Sequence, residues 1–242
     1  MNAGKLFCSA LCTLCALLFL INFRGPQRAS AEGAYYTAGA EEAPGDAQPG
    51  ELDRRLLAQL PQLDPTSWEL ALYGRGRSAD GLEVTTVRVE GVSVDERIAE
   101  PLGRMLSDAR SQGVGVYLSC GYTDRAAQEH ICRRCAERYG ETAALSITGR
   151  PDENEHRSGL AVDITDRWYE DKDESIARTE TYLWLSMHCG EYGFILRYPE
   201  GKKSVTGHVF EPWHFRYVGV EAAEFMAAND LCLEEFLELY KY

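Results

Sequence analysis

The sequence predicts an α+β fold, a mainly antiparallel sheet with helices packed to one side. Short apolar, β-branched runs alternate with stretches in which apolar residues recur at helical spacing. The runs Phe194–Tyr198 and Val205–Val218 flank a turn segment, PEGKK, as neighbouring antiparallel strands do. A length of 242 residues allows one domain with appendages and a sizeable core.

Residues 6–23, LFCSALCTLCALLFLINF, are almost wholly apolar, with Lys5 before them and Arg24 and Arg28 after. The run is at the lower edge for a membrane-spanning helix and a little long for a signal-peptide core. Ala29-Ser30-Ala31 offers a small-residue cleavage site. Residues 1–23 are therefore read as a signal peptide or membrane anchor, which places the remainder of the chain outside the cytoplasmic membrane, secreted or anchored. Residues 24–50, rich in Gly, Ala, Pro and Glu, read as a flexible linker. That leaves 51–242 as the folded domain, opening with a short amphipathic helix over 51–60 that Pro61 ends.

Trp68–Tyr73 and Leu82–Val89 are expected strands. Ser93-Val94-Asp95-Glu96 has the spacing of a capping box. Behind it Ile98, Leu102, Met105, Leu106 and Ala109 form an apolar helix face that Gly113 ends. Val114–Ser119 is a strand leading into CGYTDRAAQ, where Asp124 caps the next helix. Gln128, Ile131, Cys135 and Tyr139 share one face of that helix, with Gln128 on the buried side. Arg167–Glu180 is densely charged and reads as a solvated insert, and Thr181–Tyr192 as a helix stopped by Gly193. Two closing helices, Glu221–Ala228 and Leu231–Tyr240, are split at Asn229-Asp230.

The net charge is −13 with no basic cluster, which argues against nucleic acid as a partner. Of the eight cysteines, Cys8, Cys12 and Cys15 lie in the apolar segment. Cys120, Cys132, Cys135, Cys189 and Cys232 remain, an odd number that leaves at least one free or paired between chains. Cys132-x-x-Cys135 has no second such pair, so a buried pair or local disulfide is expected there rather than a zinc or redox site.

The chemistry concentrates in PDENEHRSGLAVDI, Pro151–Ile164, and EPWHFRYVG, Glu211–Gly219. His156, Asp163 and His214 are a candidate three-ligand zinc set of two imidazoles and a carboxylate, beside the reading in which each histidine is structural or at the surface. Catalytic zinc commonly takes three protein ligands and leaves one position open. Such a site also needs a nearby glutamate that is not a ligand to move protons, and Glu211 is a candidate. Asp163 lies in an apolar run, LAVDI, where a carboxylate must be paired, bound to metal or at a strand end. A regular strand would send Glu211 and His214 to opposite faces. Pro212 excludes a regular central strand, so a bulge or turn would bring them together.

His156 to Asp163 fits S-x-H-x-x-G-x-A-x-D except at its first position, and Glu211 to His214 fits E-x-W-H. In these motifs, their order and the run GFILRYPEGKKSVTGHVFEPWHFRYVG, residues 66–220 resemble the VanY-type D-alanyl-D-alanine carboxypeptidases. The resemblance implies the fold of the zinc D-Ala-D-Ala peptidases, one Zn²⁺ held by His156, Asp163 and His214, and Glu211 as catalytic base. It also implies a substrate, a peptidoglycan stem peptide that loses its C-terminal D-Ala.

The chain departs from that pattern where substrate contacts are expected. The family usually carries S-G-Y-R followed by a Gln. Here Gly121, Tyr122 and Gln128 match, Cys120 replaces the Ser, and Thr123 replaces an Arg that helps hold the substrate. A guanidinium suits that task because it binds a carboxylate with two hydrogen bonds. Arg125, two positions on, is one stand-in, and Arg197 and Arg216 are others. Asn154 replaces the usual Ser and can still donate and accept. Arg125, Gln128 and Asn154 are thus the candidate substrate contacts. The departures leave L,D-carboxypeptidase, dipeptidase and endopeptidase activities open beside D,D-carboxypeptidase. A non-catalytic wall-binding domain is the reading from another class, and the presence of Glu211 argues against it.

Overall fold

The structure, a computed structural model, describes residues 49–74 and 76–241. The apolar segment 6–23 and nearly all of the linker expected over 24–50 lie outside the described residues. Among the described residues, no helix is long and apolar enough to cross a membrane.

Helix α1 (Pro49–Gln59) stops before Pro61. A hairpin follows, β1 (Thr86–Val89) and β2 (Val92–Asp95), and then helix α2 (Ala99–Ser111). Strand β3 (Tyr117–Cys120) leads into a helical hairpin, α3 (Arg125–Tyr139) and α4 (Glu141–Thr148). The 3-10 turn Glu155–Ser158 precedes β4 (Ala161–Thr165). Helix α5 (Glu180–His188), β5 (Phe194–Leu196), the short α6 (Lys203–Thr206) and β6 (His214–Tyr217) come next. Helices α7 (Val220–Ala228) and α8 (Leu233–Glu238) close the described chain, followed by one 3-10 turn.

Strands β3, β4, β6 and β5 form, in that order, one fully antiparallel sheet. The α+β expectation is borne out. Leu102, Met105, Leu106 and Ala109 of α2 are all buried and pack with Val162, Ile164, Phe194 and Phe215 of the sheet. The helical spacing in the sequence is thus a core stripe. Truncating Leu102, 0% exposed, to alanine is expected to cost about 2–5 kcal/mol, read as a lowered denaturant midpoint. The helices do not all lie on one side. Ile195 points opposite to Phe194 and packs with Ala222, Met226, Leu233 and Phe236 of α7 and α8.

Several expected elements differ. Trp68–Leu70 forms turns and Ala71–Tyr73 no regular element, where a strand is expected; the Glu69 and Ala71 carbonyls accept from the Arg216 guanidinium, both at 3.0 Å. Only Thr86–Val89 of the expected Leu82–Val89 strand pairs. The Ser93–Glu96 capping box is instead strand β2, and Asp95 alone caps the 3-10 turn after it by accepting from the Arg97 amide at 2.9 Å. Val205–Val218 is interrupted by α6 and by Gly207 in the left-handed region, so only its last part is a strand. Asp124 does cap α3, accepting from the Ala127 amide, and Gln128 is buried. Ile131 and Tyr139, however, are 43% and 46% exposed, because that face of α3 borders a cleft and not the core. All five cysteines of the described residues are free thiols, Cys132 and Cys135 included, so no disulfide forms at the C-x-x-C pair.

Candidate active site

Strand register assembles the site. Cys120 on β3, Asp163 on β4 and His214 on β6 are successive cross-strand partners, so three neighbouring strands present side chains in one row. Strand parity explains the rest. Val162 and Phe215 turn into the core, whereas Asp163 and His214 turn to the other face. His156 arrives from the 3-10 turn, which Asn154 caps by accepting from the His156 amide at 2.9 Å. Gly159 ends that turn at φ 71° with its α-carbon against β2. A Cβ there would stand 2.9 Å from the Asp95 nitrogen, so only glycine fits.

The puzzle of Glu211 and His214 is resolved by a tight turn. The His214 amide donates to the Glu211 carbonyl at 3.1 Å, with Pro212 in the second turn position that favours proline. The turn brings Glu211 Oε2 to 3.7 Å from His214 Nδ1.

Donor atoms converge on one point. His156 Nε2 lies 3.2 Å and His214 Nδ1 3.3 Å from the same oxygen, Asp163 Oδ1. That oxygen is buried and has no hydrogen-bond partner, and neither has His156 Nδ1. Tetrahedral coordination at about 2.0–2.1 Å sets neighbouring N and O donors about 3.3 Å apart. The three side chains therefore fit a metal ion. Cys120 offers a sulfur within 4.8 Å of ligand atoms on His156 and Asp163.

Burial by itself would push the His156 imidazole down. The Cys120 sulfur as thiolate and the Asp163 carboxylate beside it prevail and hold it well above the ordinary range. Burial would likewise raise Asp163, but Lys172 and His156 hold it well below the usual carboxylate range.

Beneath the ligands sits a residue the sequence reading missed, Glu155. Its Oε2 lies 3.2 Å from His214 Nε2, which leaves Nδ1 facing Asp163 and Glu211. Its Oε1 accepts from Arg197 Nε at 3.0 Å and from an Arg216 terminal nitrogen at 2.8 Å. Arg197 continues to Glu234 with two hydrogen bonds, at 2.9 and 2.7 Å. Burial would raise the Glu155 carboxyl, but these two guanidinium groups and His214 hold it well below its ordinary value. One signal was present in the sequence: Arg197 and Arg216 sit in the apolar runs FILRY and HFRYV, and buried cations require a buried anion.

A cleft of about 630 Å³ opens over the ligands, lined by Gln128, Asn154, Tyr198, His208 and Glu211 among others. His208 stacks on Tyr198 at 4.1 Å and lies 3.8 Å from Glu211. Gln128 and Asn154 border the cleft but both donate to the Thr148 carbonyl, at 3.2 and 3.1 Å. Arg125 is bound to Asp80 and Glu129, and its side chain is 55% exposed. Arg197 and Arg216 are consumed by the buried cluster. None of the three arginines reaches the cleft.

Two imidazoles, a carboxylate and an adjacent glutamate in an open cleft on an antiparallel sheet are side chains of the types that hold a catalytic metal in hydrolases. Comparison with known proteins makes this specific. Residues 91–220, more than half of the chain, match the VanY family, D-alanyl-D-alanine carboxypeptidase. A D-alanyl-D-alanine carboxypeptidase of Enterococcus faecalis is 34% identical over 202 residues, covering 78% of this chain and 73% of the relative. The YodJ protein of Bacillus subtilis is 35% identical over 149 residues, covering 61% of this chain and 55% of its own length. Among solved structures, the vancomycin-resistance D,D-pentapeptidase VanY in complex with Zn(II) aligns with a TM-score of 0.63 at 32% identity, covering 71% of this chain and 99% of that one. The chain belongs to the VanY family of D-alanyl-D-alanine carboxypeptidases.

Proposed function

We propose that this chain is a zinc-dependent D,D-carboxypeptidase that removes the C-terminal D-Ala from peptidoglycan stem peptides outside the cytoplasmic membrane. The observation that carries the reading is the convergence of His156, His214 and Asp163 Oδ1, with Glu211 turned onto the same point. Family membership and the Zn(II) complex of the VanY pentapeptidase support it.

His156 Nε2, Asp163 Oδ1 and His214 Nδ1 would hold one Zn²⁺. When bound, the ion acts as a Lewis acid toward the peptide carbonyl and lowers the pKa of water. Glu155 fixes the His214 ring so that Nδ1 points at the site, as partners of ligating histidines do. Glu211 takes the proton of the attacking water and returns it to the leaving amine nitrogen. Gln128 and Asn154 hold the Thr148–Gly149 wall against which the peptide lies. Arg125 stands apart, so Arg125→Ala is expected to change stability by no more than about 0.5 kcal/mol and to leave kcat/KM unchanged.

Because buried donors await the ion, zinc should stabilise the fold. At free metal 100-fold above Kd the gain is about 2.7 kcal/mol, seen as a melting temperature that rises with zinc and falls with a chelator. A melting curve indifferent to both would remove the metal site.

The activity test incubates the zinc-loaded chain with stem pentapeptide and tetrapeptide and reads products by mass. Loss of one D-Ala from the pentapeptide is the expected result. Cleavage of the tetrapeptide alone would transfer the assignment to an L,D-carboxypeptidase. Cleavage of neither, with zinc bound, would overturn this substrate assignment in favour of a different substrate or a wall-binding domain.

A further inference from the structure

A stem peptide ends in a free carboxylate, yet the cleft that would receive it is acidic. Glu153, Glu170, Asp171 and Glu211 line it, on a chain of net charge −13. An anion entering such a cleft needs a cation to meet it. Thr123, where the family Arg would stand, is buried with its hydroxyl on the Gly121 carbonyl, and it carries no charge.

Among the described residues, two cationic side chains besides histidines line the cleft. Arg150 is at the rim, 65% exposed and flanked by Asp152 and Glu153. Lys172 is within. Its side chain is 21% exposed, and its ammonium is hydrogen-bonded to Asp163 Oδ2, the oxygen of that carboxylate not shared by the two histidines. This places a positive charge one carboxylate away from the metal position. An ammonium has three donors, and Asp163 occupies one of them.

We propose that Lys172 binds the C-terminal carboxylate of the substrate. The cation comes from the charged segment after β4, not from the loop after β3. The assignment rests on the carboxypeptidase reading above and deepens it. It makes this chain dependent on a point charge on a flexible stem, where a guanidinium would present a planar fork.

The test compares two pentapeptides, one with a free C-terminus and one with a C-terminal carboxamide, on the zinc-loaded wild type, Lys172→Met and Lys172→Arg. Wild type is expected to prefer the acid. Lys172→Met should raise KM for the acid about tenfold or more, change kcat less, leave the amide unaffected and keep its zinc. Lys172→Arg should restore much of the loss. Calorimetry with D-Ala-D-Ala supplies a readout without turnover: Glu211→Gln should bind the dipeptide, and the Glu211→Gln/Lys172→Met double variant should bind it more weakly, by about tenfold or more. Equal KM for acid in wild type and Lys172→Met would overturn the proposal, as would loss of zinc from Lys172→Met, which would make the lysine a support for Asp163. If wild type cleaves neither peptide and Glu211→Gln binds no dipeptide, the carboxypeptidase reading fails first and takes this one with it.

Discussion

Glu211→Gln is expected to slow hydrolysis by about 10²–10⁴-fold while zinc content stays at the wild-type level. Glutamine keeps the volume of the side chain and its place in the turn, but it cannot accept the proton of the attacking water. Glu211 is not one of the three side chains that meet at Asp163 Oδ1, so the ion has no reason to leave. Turnover read by D-Ala release and metal read by mass spectrometry together make the check. A Glu211→Gln variant that hydrolyses at the wild-type rate would end the general-base assignment. Loss of zinc with loss of rate would make Glu211 a ligand instead.

The second large effect is on stability. Removing the charge of Glu155, by Glu155→Gln, leaves Arg216, 0% exposed, without its carboxylate and Arg197, 1% exposed, with Glu234 alone. Breaking such a buried pair from one side costs about 3–5 kcal/mol, measured from denaturant midpoints. Its carboxyl is held well below the ordinary range, so the stability it contributes is present above the unfolded-state pKa and is lost as pH falls through the lowered one. Glu155→Gln should therefore flatten the acid limb of the stability profile as well as lower its plateau. His214 would lose the partner that orients it, and zinc affinity should weaken by about 10–100-fold. An unchanged midpoint and an unchanged acid limb would refute the cluster's importance.

What was legible in the sequence follows from what is local. The α2 stripe of Leu102, Met105, Leu106 and Ala109 is written at helical spacing, and each of the four is buried. His156, Asp163, Glu211 and His214 lie in two short stretches whose residue types suggest the chemistry, and the structure brings the four together. Glu155 was next to a named ligand and still went unread, because its partners are 42 and 61 residues away. Nothing in Trp68–Tyr73 discloses that its carbonyls serve Arg216 instead of a neighbouring strand. The same holds for Lys172, one charge among many in Arg167–Glu180 until the fold sets it beside Asp163. Periodicity reports which face of an element is buried. It does not report which distant residue meets it there.

The two walls of the cleft differ in how far they can be rewritten. Every residue of β4 is buried, and its partner His214 is locked by register on one side and by Glu155 on the other. Helix α3, by contrast, has Gln128 as its one buried residue among those described, and Ile131 and Tyr139 reach the cleft from an otherwise open surface. Hydrolytic machinery and substrate rim are thus separable modules. A lineage, or an engineer with a library at Ile131, Tyr139, Glu170 and Asp171, can re-aim this hydrolase toward another peptide while the reaction itself is inherited intact.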